Sequence, residues 1–65
     1  MEPKIIGERL KALRGDRTQQ AVATAVGVTK NAISAYDDGK RVPRDEIKIK
    51  LVNFFGTTVT EIFFN

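Results

Sequence analysis

The stretch Gln19-Gln20-Ala21-Val22-Ala23-Thr24-Ala25-Val26-Gly27-Val28-Thr29-Lys30-Asn31-Ala32-Ile33-Ser34-Ala35-Tyr36 decides the fold. Thr18, just before it, and Thr29, within it, belong to the residue types whose side-chain oxygen caps a helix N-terminus. Gly27 stands where a helix ends in a left-handed residue. The stretch therefore reads as two short helices. One runs from the Thr18 cap to Val26, the other from the Thr29 cap to Tyr36 or Asp37, and the tight turn between them makes them cross steeply. That crossing explains the small Ala23 at the contact and Val28 behind the turn. Val22, Val26, Ile33 and Tyr36 close the core beneath, which leaves Lys30, Asn31, Ser34 and Ala35 facing outward.

Working outward, Ile6, Leu10 and Leu13 fall at i, i+4 and i+7, so a first helix is expected from about Lys4 to Arg14, ended by Gly15 and Asp16. Gly39 breaks the chain after the third helix. A fourth follows Pro43, with Asp45 and Glu46 at its positive end, and stops at Gly56. The alternation Ile47-Lys48-Ile49-Lys50-Leu51 imitates a strand, but it continues into Val52, Phe54 and Phe55 with no turn signal, and a helix is the expectation. Thr58-Val59-Thr60-Glu61 matches a capping box, with Thr58 as cap and Glu61 reaching back, and Val59, Ile62 and Phe63 then point inward. The expected fold class is all-α: five short helices forming one domain over residues 1–65.

Composition narrows the chemistry. The 65 residues contain neither cysteine nor histidine, which removes disulfides, thiolate metal sites, the commonest general base and the commonest transition-metal ligand. No enzymatic activity, cofactor, metal or small-molecule ligand is expected. Asp37 and Asp38 precede Gly39-Lys40-Arg41 without the further oxygen ligands of a calcium loop. No apolar run is long enough to cross a bilayer, and Met1-Glu2-Pro3-Lys4 lacks the apolar stretch of a signal peptide, so no membrane partner and a cytoplasmic location are expected. No ligand-sensing domain is expected. Its net charge of +3, from 11 Lys+Arg against 8 Asp+Glu, is mildly basic, and the positions of the charges matter more than their sum.

Short polar side chains at the start of an outward-facing helix suit the major groove, which is about 12 Å wide and admits one α-helix. Asn31 can bond adenine in bidentate fashion and Lys30 can reach guanine. Ser34 can bond either kind of base, and the Ala35 methyl can touch thymine. Taken alone, this face reads more readily as solvated surface. The Ala23, Gly27 and Ile33 framework around it favours DNA contact. Lys40, Arg41 and Arg44 flank the end of the same helix, where phosphates would run.

Thr18-Gln19-Gln20-Ala21-Val22-Ala23, Val26-Gly27-Val28-Thr29, Ile33-Ser34, Asp37-Asp38-Gly39-Lys40-Arg41-Val42-Pro43 and Phe55-Gly56-Thr57-Thr58-Val59-Thr60-Glu61-Ile62-Phe63 together resemble the lambda-repressor and Cro type of helix-turn-helix family (XRE family). The resemblance covers nearly the whole chain. It implies a five-helix, lambda-repressor-like domain that binds double-stranded operator DNA, usually as a homodimer, and commonly represses transcription in bacteria or their phages. It further implies base reading by Thr29, Lys30, Asn31, Ser34 and Ala35, phosphate contact by Gln19, and backbone contact by Gly39, Lys40 and Arg41. An Arg14–Asp37 pair would act as a structural brace. The chain departs from the family at a shorter first connection, Gly15-Asp16-Arg17, with Arg17 at a usually apolar position, and at Asp37, where glutamate is usual.

Phe54, Phe55, Phe63 and Phe64 crowd the C-terminus, more aromatic surface than so small a domain easily buries. Phe54, Ile62 and Phe64 are therefore candidates for a dimer contact. Lys48 and Lys50 read as solvated helix-face residues. The rival functional reading is a protein-interaction module, antitoxin-like or antirepressor-like, on the same fold.

Overall fold

The computed structural model describes residues 1–64, in which five helices follow one another: α1 (Pro3–Arg14), α2 (Gln19–Val26), α3 (Lys30–Asp37), α4 (Asp45–Phe55) and α5 (Val59–Phe63). The threonines start three of them as their chemistry demands. Thr18 Oγ1 accepts the Ala21 N–H at 3.0 Å, Thr29 Oγ1 the Ala32 N–H at 3.1 Å and Thr58 Oγ1 the Glu61 N–H at 3.2 Å. Each bond satisfies a first-turn N–H that has no partner within its helix. α1 begins one residue earlier than expected, because Pro3 lacks the N–H that the first position leaves unused and already holds a helical φ. α4 starts without a side-chain cap at Arg44, with buried Pro43 just ahead of it and Asp45 and Glu46 in its first turn.

The expected capping box of α5 forms only in half. The Glu61 carboxylate does not reach back to the Thr58 backbone. It accepts a hydrogen bond from the Thr57 hydroxyl, one residue further out.

The turn between α2 and α3 is where the sequence placed it. Gly27 has φ 77° and ψ 33°, a left-handed conformation that a Cβ disfavours. The N–H groups of Gly27 and Val28 both converge on the Ala23 carbonyl, at 2.9 and 3.0 Å, which closes the helix end. Ala23 is wholly buried and lets α3 lie close. Val22, Val26, Ile33 and Tyr36 from this pair meet Ile6 and Leu10 of α1, Leu51 of α4, and Ile62 and Phe63 of α5 in a single core.

α1 holds α3 by direct backbone approach. A methyl placed at Gly7 would overlap the carbonyl oxygens of Tyr36 and Asp37, so no side chain fits there. α5 packs on α1 and α4. Its C-terminal end is tied by Arg9, whose Nη1 donates to the Glu61 carbonyl at 2.9 Å and the Phe64 carbonyl at 3.0 Å, satisfying acceptors that a helix end leaves open.

Two expectations about single side chains are corrected by the packing. Ile62 is 0% exposed and belongs to the core, so it is not available to a dimer partner. Lys48 is not simply solvated: its stem runs along the protein, with Nζ 5.2 Å from the centroid of the Phe63 ring and 3.6 Å from Asp45 Oδ1. Arg17, at a position that is apolar in the resembled family, lies with its guanidinium carbon 5.3 Å from the Phe54 centroid and 5.9 Å from that of Phe55. It covers part of the aromatic surface that the sequence left without a home, while Nη1 donates to the Leu13 and Arg14 carbonyls.

Candidate nucleic-acid interface

α3 divides its residues sharply. Ala32, Ile33, Tyr36 and Asp37 are buried, Thr29, Lys30 and Asn31 are exposed, and Ser34 and Ala35 are half-buried along the same outer stripe. The division follows from the 3.6-residue period acting on a helix seated against α1 and α2. Thr29 spends its oxygen lone pair on the helix cap but keeps its hydroxyl hydrogen to donate. Lys30 and Asn31 enter no side-chain hydrogen bond or ion pair among the described residues, so their polar groups are free for an outside partner. Ser34 and Ala35 sit one turn deeper and offer only a hydroxyl and a methyl.

The segment after α3 is held to it by the backbone. The Ala35 carbonyl accepts the N–H groups of Lys40 and Arg41, at 2.9 and 3.3 Å. Both side chains are thereby anchored at the far end of α3, about 12 Å along an eight-residue helix from Lys30. Arg41 rests with its guanidinium carbon 5.6 Å from the Tyr36 ring centroid, which orients it without consuming its donors. Arg44 is exposed and pairs with Glu46 at 3.2 Å. An ion pair this exposed contributes little and gives way readily to a phosphate.

Gln19, for which the resemblance implies phosphate contact, also has a partner inside the protein. It is half-buried, and its Nε2 donates to Asp37 Oδ2 at 3.0 Å. The same oxygen accepts Arg14 Nη2, also at 3.0 Å. The Arg14–Asp37 pair that the resemblance implies is therefore present, with an aspartate in place of the usual glutamate. It also gains a third member that local spacing could not disclose, because Gln19 and Asp37 stand 18 residues apart. Asp37 is 4% exposed while Arg14 and Gln19 are half-buried, so this junction of α1, α2 and α3 runs from the interior toward the surface.

The candidate dimer residues separate from one another. Phe64 is 54% exposed and Phe54 36%, the latter partly under Arg17, while Ile62 is interior as described. Ile49, which sequence reasoning missed, is 55% exposed. It lines one groove with Phe64, Val59, Asp45 and Lys48. The signal for it was available: the buried stripe of α4 runs through Ile47, Leu51 and Val52, and Ile49 lies off that stripe. Among the described residues no cluster of acidic side chains could hold a metal, and no helix is long and apolar enough to cross a membrane.

Residues 5–62 match the family model of the helix-turn-helix domain. In sequence, the chain is 33% identical over 60 residues to the transcriptional repressor RstR of the cryptic phage CTXphi from Vibrio cholerae. The alignment covers 89% of this chain but 54% of that repressor, so the chain spans about half the length of the curated relative it matches. In structure, it superposes on the P22 c2 repressor, solved in complex with a synthetic operator, with a TM-score of 0.87 and 27% identity, over 89% of this chain and 91% of that one. The LexA repressor of Eubacterium rectale, at a TM-score of 0.88 and 21% identity, covers 94% of this chain and 67% of its own and shares the fold. The helix pair turning at Gly27, the five-helix order and the match over residues 5–62 agree: the chain belongs to the helix-turn-helix domain family in its lambda-repressor-like, non-enzymatic form.

Proposed function

We propose that the protein is a sequence-specific DNA-binding transcriptional repressor that lays α3 in the major groove of an operator. The observation that carries this reading is the free first turn of α3: Lys30 and Asn31 are exposed and unpaired, on a helix whose opposite face is buried. The likeness to RstR, a repressor, and to the P22 c2 repressor, which was solved on an operator, supports the same reading. Thr29, Lys30, Asn31, Ser34 and Ala35 would read base edges. Lys40, Arg41 and Arg44 would follow the phosphates, and Gln19 would touch one more. Residues 1–65 would act as one DNA-binding domain, in the cytoplasm of a bacterium, on chromosomal or phage DNA.

The working form in this proposal is a homodimer on a two-fold operator, with half-sites about 34 Å apart. The groove between Ile49 and Phe64, floored by half-buried Val59, supports it: large apolar residues exposed side by side favour burial against protein. This groove belongs to α4 and α5. α5 packs on α1 and α4, so a partner seated there leaves the outer face of α3 free. Repression would follow from occupancy, the bound dimer excluding polymerase from its promoter.

Selection of bound duplexes from a random pool, followed by titration of the selected site and a scrambled site at two salt concentrations, tests the proposal. The expected result is an inverted-repeat consensus, tighter binding of the selected site, and a steep fall of affinity with salt. Absence of duplex affinity at low salt would overturn it in favour of a protein-interaction module.

A further inference from the structure

Asp37 is buried and takes no part in the exposed surface, yet it fixes which end of the half-buried Gln19 amide turns toward it. A carboxylate can only accept hydrogen bonds, whereas a glutamine amide has a donating end and an accepting end. With Asp37 Oδ2 at 3.0 Å, the NH2 end must turn toward it, because the flipped amide would set oxygen against oxygen. Arg14 Nη2 holds the same oxygen at 3.0 Å from the other side and keeps the carboxylate in place. The NH2 group has two hydrogens, and only one is used on Asp37. A phosphate oxygen is also an acceptor only, so it needs that same NH2 end.

From this geometry we infer that Asp37 is a positioning residue for DNA binding: it locks the Gln19 amide so that its second N–H is presented to a phosphate. The inference rests on the operator-binding reading above and deepens it. It assigns a role at the DNA surface to an interior acid otherwise accounted for as a brace. The sign of the effect runs against simple electrostatics. Asp37→Asn removes a negative charge from a DNA-binding protein, and charge alone makes binding tighter. The asparagine, however, can donate as well as accept, so it tolerates either orientation of the Gln19 amide and releases the lock.

The test is a double-mutant cycle in operator affinity, measured below the melting transition of every variant. Asp37→Asn is expected to weaken operator and scrambled duplexes alike, by about twofold, since the phosphate must then select one of two amide orientations. In a Gln19→Ala background the same change is expected to cause no loss. The slope of affinity against salt should not flatten, since a neutral amide displaces no counterion. Equal or tighter binding by Asp37→Asn, or the same loss with and without Gln19, overturns the inference. A wild-type chain that binds no duplex would instead overturn the operator-binding reading itself. Side-chain amide exchange in the wild-type chain gives an arm independent of variant folding. One Gln19 Nε2 proton should be protected in the free protein and the second only after duplex is added. Two freely exchanging protons in the complex count against the lock.

Discussion

The α2–α3 pair and the α4–α5 pair are built from similar local chemistry and end with opposite surfaces. Thr18 and Thr29 cap the first pair and Thr58 caps α5, while Gly27 and Gly56 end α2 and α4 in the same left-handed conformation. The first pair buries Val22, Val26, Ile33 and Tyr36 and exposes Lys30 and Asn31. The second buries Leu51, Ile62 and Phe63 yet still exposes Ile49 and Phe64. One surface is thus suited to a polyanion with hydrogen-bonding base edges, the other to protein. Two tasks can be served by so small a domain because α3 is seated mainly on α1 and α2, and α5 on α1 and α4.

The comparison breaks first if the supporting half is not independent of the reading half. Leu51 is 1% exposed and sits in the common core. Leu51→Ala is expected to cost about 2–5 kcal/mol in a urea melt, as for other buried leucines. The protein that remains folded should keep its base preference. A changed preference in the folded fraction would mean that α4 tunes the reading surface. Asn31→Ala addresses the other half. It should lower discrimination at one base pair by about 1–3 kcal/mol with a melting curve like that of wild type, checked by competition between duplexes differing at single positions.

Two smaller effects sharpen the contrast. Ile49→Lys is expected to raise the self-association constant for dissociation at least about tenfold, or about 1.4 kcal/mol, in sedimentation equilibrium. Half-site binding should be unaffected. A monomeric wild type, or a dimer indifferent to this change, would remove the apolar groove from the assembly. Lys40→Ala should weaken all duplexes alike and flatten the salt slope by about one unit. A loss confined to one sequence would transfer Lys40 from the phosphates to the bases.

Helix ends were legible because their causes are local: a threonine three residues ahead of an N–H, a glycine that accepts positive φ, acids in a first turn. The fold class and the outward stripe of α3 followed from those ends and from the helical period. What escaped the sequence is contact between distant residues. Glu61 had two neighbouring partners within reach, and the packing of the α4–α5 connection chose the Thr57 hydroxyl. Ile62 was both an inward residue and a dimer candidate in the sequence, and only its burial in the core decides between the two. Gln19 meeting Asp37, and Arg9 reaching the end of α5, likewise join residues with no periodic relation. Arg17, a departure from the family pattern, lies against Phe54 and Phe55, residues far from it in the chain.

Gly7 has a consequence beyond packing. Because main chain meets main chain where α1 crosses the end of α3, the depth at which the reading helix sits is set by two backbones and not by the side chains it displays. If α3 reads bases as proposed, the exposed Lys30 and Asn31 can then be exchanged without retuning the mount beneath them. A domain built this way can acquire a new address on the genome by altering a few outward letters, while its standoff from the double helix stays constant.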